Sequence, residues 1–403
     1  MIRQLRERQR VGKLIKVGLI GAGSMGKGIA EQIQQTMGMQ LEWIADIRQD
    51  AAARVAALTD CPRSGIDPNH FIDNIKVDVL VEASTSISAA FGHCCKALDS
   101  AADVLLMNAE VDLAMGLPLN QYAESRGQIV TSDAGDQHGV LARMIDEANL
   151  WGLEIVQAGN IKGFLQRHAT VNSITEEARQ RRLNVNQCCA YTDGTKLHIE
   201  MALLCNGYGL LPPAEGMSGP QAKHVSEAIE LFDFDSYQNQ PRVDYILGAE
   251  PGGGVYLIVK ATADQQIPFL EYYKLGNGPY YLLYRPYHLC HFETISAIAQ
   301  LVLYRRPVLQ PWAGRNADVY TYAKTDLAAG TCIYHAIGQD TCYGMIGSCA
   351  EHDSKGYVPI CAIDDNRAWV LRNNVEKDTP LVWDDFDYPE THLTIEYVKM
   401  LHR

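Results

Sequence analysis

Three glycines at a fixed spacing mark the first place where this chain could do chemistry. The segment Gly21–Gly26 has the sequence Gly-Ala-Gly-Ser-Met-Gly, follows the apolar run Val17–Ile20 and opens a stretch with helical periodicity. In that setting the first glycine permits a tight turn, the second lets a diphosphate approach the backbone, and the third lets the helix pack on the strand. A turn without a ligand is the alternative. The segment predicts a dinucleotide site at the positive end of a helix, with contacts from Gly21, Gly23, Ser24, Met25 and Gly26.

An acidic residue follows the second predicted strand. Asp46 stands about 20 residues beyond Gly26, where a carboxylate accepts hydrogen bonds from the adenosine ribose and repels a 2′-phosphate. We therefore expect NAD rather than NADP. Arg48 could accept the extra phosphate, which keeps NADP as the alternative. Further cofactor contacts are expected where the third and fourth strands end, at Ser84, Thr85 and Asn108.

A dinucleotide that carries a hydride needs partners for the proton and for the developing charge on a carbonyl oxygen. Lys162 lies in a glycine-containing segment and could donate that proton, although a solvated surface lysine is equally compatible with the pattern. Arg285 and His288 flank Pro286, which restricts the local backbone. The arginine would hold a carboxylate or phosphate of the substrate, and the histidine could transfer a proton near neutral pH. Packing against the neighbouring aromatic residues is the competing interpretation.

Acidic side chains follow the fourth and fifth predicted strands. Glu110, Asp133 and Asp136 could orient the lysine, bind substrate hydroxyls or hold a divalent metal, and helix capping is the alternative for each. Paired carboxylates without a histidine are suited to Mg²⁺ or Mn²⁺, but the need for a metal stays undecided. We expect Asp136 to act in catalysis, and Glu110 and Gln137 to contact the substrate.

The elements that must position these residues alternate over the first 160 residues. Short apolar runs separated by helical patterns are typical of βαβ units and a parallel sheet. We predict an α/β fold with a doubly wound Rossmann domain over residues 1–160, opened by a basic leading helix. Its strands are predicted at Val17–Ile20, Leu41–Ala45, Val77–Val81, Val104–Met107, Ile129–Thr131 and Glu154–Ala158.

The pattern changes beyond residue 160. Thr192–Thr195, with the sequence Thr-Asp-Gly-Thr, indicates a hairpin turn between two strands. Met217–Pro220 could form a mobile flap, since it combines glycine with proline. We predict an α+β domain over residues 161–310 that binds substrate and mediates dimerisation, then a linker and a small β-rich domain over residues 318–390.

Composition narrows the classes of partner. Acidic residues outnumber basic ones by 48 to 35, for a net charge of −13, and nucleic acids and anionic membranes both reward a basic surface. No apolar run approaches the ~18 residues that a membrane helix needs. The 11 cysteines match no zinc-ligand spacing. We expect a soluble cytoplasmic protein with a small anionic substrate, no nucleic-acid or membrane partner, and a homodimeric or homotetrameric assembly.

Several motifs resemble a known superfamily. Leu19–Gly26, Val79–Ser84 and Met107–Glu110 are similar to the homoserine dehydrogenase-like superfamily, and Asp133–Gln137 occupies its loop after the fifth strand. Other segments resemble its branch of 1-deoxy-D-xylulose 5-phosphate reductoisomerase-like enzymes, which carry a C-terminal SAF domain. These segments are Gly276–Tyr280, Arg285–Leu289, Ala323–Gly330 and Ala336–Gln339.

The resemblance implies an NAD(P)-dependent oxidoreductase with a SAF-like β domain and a lysine in the segment of Lys162. Two positions depart from it. The branch uses NADPH and has basic residues where Asp46 stands, and the superfamily usually has Asn-Lys where this chain has Asn108-Ala109.

We therefore expect an enzyme that transfers a hydride to or from a small polar carbonyl or alcohol with an anionic group, such as a sugar phosphate or a polyhydroxy acid. If the closer resemblance extends to the reaction, an α-ketol rearrangement precedes reduction, as in isoprenoid precursor synthesis. A non-catalytic nucleotide-sensing protein is a further alternative. The presence of Lys162, Arg285 and His288 together argues against that alternative.

Overall fold

The computed structural model describes residues 1–181 and 183–401, which divide into two compact units. The first unit comprises Met1–Gly139 and Leu289–Pro311, and the second comprises Val140–His288 and the chain from Trp312 onwards. The chain therefore passes from one unit to the other three times. The domain boundaries predicted at residues 160, 310 and 318 stay predictions.

The strands belong to four sheets. In chain order they are β1 (Ile15–Ile20), β2 (Met39–Ala45), β3 (Ser64–Gly65), β4 (Val79–Glu82), β5 (Asp103–Leu106), β6 (Val130–Ser132), β7 (Leu153–Lys162), β8 (Arg242–Leu247), β9 (Val255–Ala261), β10 (Tyr280–Arg285), β11 (Ala317–Ala323), β12 (Cys332–His335), β13 (Cys342–Ser348), β14 (Asp364–Leu371) and β15 (Phe386–Asp387).

The helices flank these sheets. They are α1 (Ile2–Arg10), α2 (Ser24–Gln35), α3 (Gln49–Leu58), α4 (Pro68–Asn74), α5 (Ile87–Asp99), α6 (Ala109–Glu124), α7 (Gln137–Leu150), α8 (Val171–Arg181), α9 (Val185–Thr192), α10 (Thr195–Tyr208), α11 (Ala228–Leu231), α12 (Ile267–Tyr272), α13 (His291–Tyr304), α14 (Cys349–His352) and α15 (His392–Leu401). Among the residues that the structure describes, no helix is long and apolar enough to cross a membrane.

The first unit is built on six parallel strands in the order β3-β2-β1-β4-β5-β6. All residues of β4, β5 and β6 are buried, as expected of parallel strands covered on both faces. The strand order reverses at β1, and ligands of such sheets bind at the carboxyl ends of the strands beside that reversal. The predicted parallel Rossmann-like sheet is confirmed.

The second unit contains a mixed sheet in the order β10-β9-β7-β8. Its central strand β7 pairs antiparallel with β9 and parallel with β8. The prediction that Glu154–Ala158 continues the parallel sheet was therefore wrong. A buried apolar run indicates a strand, but it does not say which other strand will pair with it.

The predicted hairpin at Thr192–Thr195 was also wrong, because this segment joins two helices, α9 and α10. Gly194 has a φ of 93°, which is the left-handed backbone that a glycine adopts without strain. Asp193 Oδ1 accepts the Thr195 N–H at 2.9 Å and so holds the turn that precedes α10. Helix α10 is buried along its length from Thr195 to Gly207, which explains why its sequence resembles a strand of a core.

The C-terminal part of the second unit is rich in strands. Strand β11 pairs antiparallel with β13, and β14 pairs antiparallel with both β12 and β15. A buried lysine anchors the end of β11, because Lys324 Nζ lies 2.8 Å from Asp193 Oδ2, 3.0 Å from Ala169 O and 2.7 Å from Gln339 O. Both charged side chains are fully buried. The pair thereby ties the β-rich part to the turn before α10.

Replacing one partner of this pair tests that anchor. We expect Lys324→Met to lower the free energy of unfolding by about 3–5 kcal/mol, because Asp193 would remain as an uncompensated buried carboxylate. Denaturant unfolding measures the effect, with Lys355→Met as control, since Lys355 forms an exposed pair with Glu351. Equal stability of the two variants would contradict the anchoring role.

Candidate active site

The glycine segment after β1 has the geometry of a ligand loop. Gly21 has a φ of 100°, and a Cβ atom there would lie 2.5 Å from Ala83 O. A Cβ atom on Gly26 would lie 1.9 Å from Gly21 O, whereas one on Gly23 would meet nothing within 4 Å. The fold itself thus requires the first and third glycines. Gly23 instead borders open space at the start of α2, which no side chain caps, and this arrangement fits a diphosphate.

Asp46 holds the same loop from the end of β2. Its Oδ2 accepts the Ala22 N–H at 2.7 Å, and its Oδ1 accepts the Arg48 N–H at 2.8 Å. The Arg48 side chain is 61% exposed, and its Nε lies 3.6 Å from Asp46 Oδ1. Asp46, which was predicted to bind the ribose, therefore also holds the glycine loop in place. The sequence did not indicate this structural role.

Two of the other predicted cofactor residues lie together beside β4. Asn108 Nδ2 donates to Ser84 O at 2.7 Å, while Asn108 Oδ1 accepts the N–H groups of Glu110 and Val111 at 3.0 and 3.3 Å and caps α6. Thr85 is exposed next to Ser84. The side-chain oxygen and nitrogen of Asn108 thus connect the end of β4 with the start of α6, a capping role that the sequence did not indicate for this residue.

Glu82, at the end of β4, was not among the predicted site residues. Its Oε1 accepts the Ser84 N–H at 3.0 Å, and its side chain is fully buried. Burial raises its pKa to about 7, against the opposing effect of the Ser84 hydrogen bonds. A carboxyl group that is about half protonated at neutral pH therefore supports the loop that carries Ser84 and Thr85.

The acidic group after β6 has a mainly structural arrangement. Asp133 Oδ2 accepts the Gly135 N–H at 2.6 Å, and burial raises the Asp133 pKa to about 7. The Gly135 carbonyl group lies against the residue before α13, because its oxygen accepts the Cys290 N–H at 3.0 Å. Glu110 and Gln137 are buried, and Asp136 is half-buried. Asp136 therefore remains the member of this group with partial access to solvent.

The second unit brings three of the predicted residues around one glycine turn, Gly252–Gly254. Lys162 ends β7, and the preceding Ile161 accepts the Gly253 N–H at 2.8 Å through its carbonyl oxygen. His288 Nδ1 donates to Gly253 O at 2.7 Å, and a Cβ atom on Gly254 would lie 2.6 Å from Arg285 O. The Arg285 guanidinium lies 4.7 Å from the centroid of the Tyr287 ring. The backbone beside Lys162, the backbone of Arg285 and the ring of His288 therefore all contact this turn.

Helix α10 contributes polar residues that sequence reasoning missed. Asn160 of β7 donates through Nδ2 to Glu200 Oε2 at 2.7 Å, and both side chains are buried. Lys196 lies one helical turn before Glu200 and is 9% exposed. Burial, with smaller effects from the charges of Arg167 and Lys162, lowers the pKa of His198 to about 3. The sequence does contain a signal, because Lys196, His198 and Glu200 interrupt an otherwise apolar run. It was missed because the segment before them was predicted to be a hairpin turn between strands.

The segment predicted as a flap is anchored by a buried aspartate. Asp244 accepts the N–H groups of Ser218 and Gly219 at 3.1 and 2.9 Å, and also the Ser218 hydroxyl. A Cβ atom on Gly219 would lie 2.1 Å from the Tyr245 ring. The loop is thereby held against β8.

The open space at Gly23 leads to a test of the loop. We expect Gly23→Ala to leave the melting temperature unchanged, because its Cβ atom meets no protein atom, but to weaken NADH binding at least 10-fold by occupying the diphosphate position. Fluorescence titration with NADH measures the affinity. Gly92→Ala is the control, since its Cβ atom also meets nothing within 4 Å. Unchanged affinity of the Gly23 variant would contradict the assignment.

The raised pKa of Glu82 leads to a pH-dependence test. The folded-state pKa of about 7 exceeds the ordinary value of 4.5, so protonated Glu82 favours the folded state. This contribution to the free energy of unfolding is complete below pH 4.5 and is lost as the pH rises through 7. In Glu82→Gln the fall in unfolding free energy between pH 5 and pH 8.5 should be smaller, by up to about 3 kcal/mol. Some fall in the unfolding free energy with rising pH should remain in this variant, because burial also raises the pKa of Asp133.

Urea unfolding at a series of pH values measures that difference. Glu124→Gln is the matched control, because Glu124 is exposed. A Glu82→Gln variant whose stability falls with pH as steeply as that of the unchanged protein would show that Glu82 does not carry the effect.

Comparison with known proteins shows two matching families and remote structural similarity. Residues 21–131 match the family described as homoserine dehydrogenase, NAD binding domain, and residues 135–294 match the family described as oxidoreductase DRL, catalytic domain. No curated protein matches the chain.

Similar solved structures include UDP-N-acetylglucosamine 3-dehydrogenase GnnA from Acidithiobacillus ferrooxidans, with 16% identity over 74% of this chain and 93% of that one and a TM-score of 0.44. A myo-inositol dehydrogenase from Corynebacterium glutamicum ATCC 13032 has 13% identity over 73% of this chain and 90% of that one, with a TM-score of 0.43.

The two family matches fall on the two groups of residues described above. The NAD-binding match includes the glycine loop, Asp46 and Asn108, and the oxidoreductase match includes Lys162 and His288. The chain is an NAD(P)-dependent oxidoreductase.

Proposed function

We propose that this oxidoreductase transfers a hydride between NAD and a small polar carbonyl or alcohol that bears an anionic group, such as a sugar phosphate or a polyhydroxy acid. The observation that carries the proposal is that the backbone beside Lys162, the backbone of Arg285 and the ring of His288 all contact the turn Gly252–Gly254. Two cationic side chains and an imidazole supply what a hydride transfer at a carbonyl carbon requires.

The preference for NAD rests on Asp46. Two backbone N–H groups fix its carboxylate at the edge of the glycine loop, where it would accept hydrogen bonds from a ribose diol and repel a 2′-phosphate. The Arg48 side chain lies near that carboxylate, so its charge is partly compensated before a cofactor arrives. NADP remains the second candidate for the cofactor.

His288, Lys162 and Arg285 have different proposed roles. NAD, when bound, supplies the carbon that accepts or donates the hydride. Because His288 Nδ1 donates to Gly253 O, Nε2 of the neutral ring is the atom that would accept or return the substrate proton. Lys162 would stabilise the negative charge on the substrate oxygen, and Arg285 would hold an anionic group.

The remaining predicted residues keep the roles expected from the sequence. Asp136 would assist proton transfer, and Glu110 and Gln137 would contact substrate hydroxyls. Exposed aromatic side chains on and after α12, at 64% for Phe269, 74% for Tyr272 and 66% for Tyr273, support a homodimeric or homotetrameric assembly.

A second candidate reaction is an α-ketol rearrangement followed by reduction, as in 1-deoxy-D-xylulose 5-phosphate reductoisomerase-like enzymes with a SAF domain. The segments Gly276–Tyr280 and Arg285–Leu289 support it through their resemblance to that branch. Asp46 disfavours it, because the branch has basic residues at this position.

Turnover measurements test the proposal. Oxidation of NADH is followed with a panel of ketoses, ketose phosphates and keto acids, and the reverse reaction with the matching alcohols. For a substrate that is turned over, Lys162→Ala should lower kcat by about 100-fold or more. Lys223→Ala is the control, since Lys223 is exposed. Tight NADH binding without turnover of any substrate would overturn the proposed function.

The cofactor preference is tested separately at Asp46. We expect Asp46→Ser to raise the kcat/KM ratio of NADPH to NADH at least 10-fold, because it removes the carboxylate that repels the 2′-phosphate. Asp50→Ser, at an exposed residue near the start of α3, serves as control. If the unchanged enzyme already uses both cofactors equally, the interpretation of Asp46 is wrong.

A further inference from the structure

A buried carboxylate lies against the strand that ends in Lys162, and the proposed mechanism does not use it. Glu200 of α10 is 2% exposed, and its Oε2 accepts the Nδ2–H of Asn160 at 2.7 Å. A buried carboxylate needs compensation of its charge, and its two oxygens offer about four acceptor positions. The amide of Asn160 fills one of these positions but carries no charge. A cation at another position would therefore stabilise Glu200.

Strand β7 presents Lys162 to the same side as Asn160. Successive side chains of a strand point to opposite faces of the sheet, and the pairing of β7 is regular from residue 157 onwards. Ile161 belongs to the hydrophobic core on one face. Asn160 and Lys162 therefore point to the other face, which the contact with Glu200 identifies as the face covered by α10. Alternate residues of a strand are roughly 7 Å apart, a distance that the flexible four-carbon side chain of a lysine can span.

The register of the sheet places Arg285 on that face as well. Val255 of β9 is the direct partner of both Asn160 of β7 and Arg285 of β10. Directly opposed residues of paired strands point to the same face, so these three residues form one row across the sheet. Tyr245 of β8, the other partner of Asn160, extends the row. The side of the sheet that α10 covers therefore presents both cations of the proposed active site.

Lys196 is the cation on α10 that could compete for Glu200. It precedes Glu200 by four residues, so both side chains lie on the same face of the helix, and it is 9% exposed. Its Nζ lies 5.7 Å from the centroid of the Tyr191 ring on α9, which directs its ammonium group towards that helix. A lysine that precedes a glutamate is also the weaker order for an ion pair within a helix. Both observations favour Lys162 as the ionic partner of Glu200.

We propose that Glu200 is a positioning residue of the active site, whose carboxylate forms an ion pair with the Lys162 ammonium group and holds it on the side of the sheet that also presents Arg285. The pair fixes a long, flexible side chain before the substrate arrives, and the neighbouring negative charge favours the charged form of the lysine. The inference rests on the proposed function in one respect, namely that Lys162 acts on the substrate oxygen. The ion pair itself does not depend on that function.

The reactivity of Lys162 towards an amine reagent tests the ion pair without any substrate. The protein is treated with acetic anhydride at pH 8, and mass spectrometry follows the acetylation of each lysine, with the exposed Lys223 as internal reference. We expect Glu200→Gln to accelerate acetylation of Lys162 at least 10-fold, because only the neutral amine reacts and the variant removes the opposite charge. Glutamine still accepts the amide of Asn160, so the packing is kept.

A matched control and a second variant complete this test. Glu154→Gln makes the same change at an exposed residue of β7 and should change the rate less than 2-fold. Glu200→Asp keeps the charge, should fold even if Glu200→Gln does not, and should accelerate acetylation of Lys162 by a smaller factor. The ion pair is overturned if neither Glu200 variant accelerates acetylation of Lys162. It is also overturned if acetylation of Lys196 accelerates instead, because Glu200 would then pair within its own helix.

The pH dependence of turnover distinguishes this inference from the proposed function. With a substrate that is turned over, Glu200→Gln should move the alkaline limit of kcat to lower pH, because the ammonium group of Lys162 loses its proton more readily without the carboxylate. A merely structural role of Glu200 would lower kcat equally at every pH and would overturn the positioning role. Faster acetylation of Lys162 in a protein that turns over no substrate would support the ion pair and refute the proposed function. Turnover whose alkaline limit Glu200→Gln does not move would do the reverse.

Discussion

Close contacts between backbone segments, which leave no room for a Cβ atom, hold the functional loops of both units. A Cβ atom on Gly26 would lie 1.9 Å from Gly21 O, one on Gly135 would lie 1.8 Å from Cys290 O, and one on Gly254 would lie 2.6 Å from Arg285 O. Backbone atoms cannot move aside as a flexible side chain can. The shape of each loop is therefore set by the chain itself, and a ligand would meet a preformed surface.

These contacts also determine which polar groups lie beside the loops. Because Gly26 lets α2 pack on its own loop, the N–H of Ala22 reaches the carboxylate of Asp46, 2.7 Å away. In the second unit, the close approach at Gly254 brings the strand of Arg285 next to the turn whose carbonyl group accepts the His288 N–H. In both units, a glycine without a side chain thus allows the close backbone approach that places polar side chains beside the loop.

Buried ionisable groups also stabilise loops in both units. Glu82 and Asp133 both have a pKa raised to about 7 by burial, and each accepts a backbone N–H from a loop at the end of a strand. In the second unit Asp193 is compensated by Lys324, whereas burial, with smaller effects from the charges of Arg167 and Lys162, lowers the pKa of His198 to about 3. The first three groups stabilise loops, whereas His198 Nδ1 has no hydrogen-bond partner in the described residues.

The sequence by itself determined the features that neighbouring residues create. The glycine loop and the end of β2 could be predicted because a strand, a turn and a helix follow one another within a few residues, and each glycine acts on its nearest neighbours. The alternation of apolar runs and helical patterns likewise predicted the parallel sheet, apart from β3, which has two residues and is too short to show a pattern.

Only the tertiary structure decided what depends on distant pairing. Strand β7 has the same apolar pattern as the strands before it, yet it pairs with β8 and β9, which begin about 80 residues or more further along. The charged residues of α10 became visible as a group only once Asn160 was placed against Glu200. Local periodicity describes which face of an element is apolar, but it contains no information on the partner that covers that face.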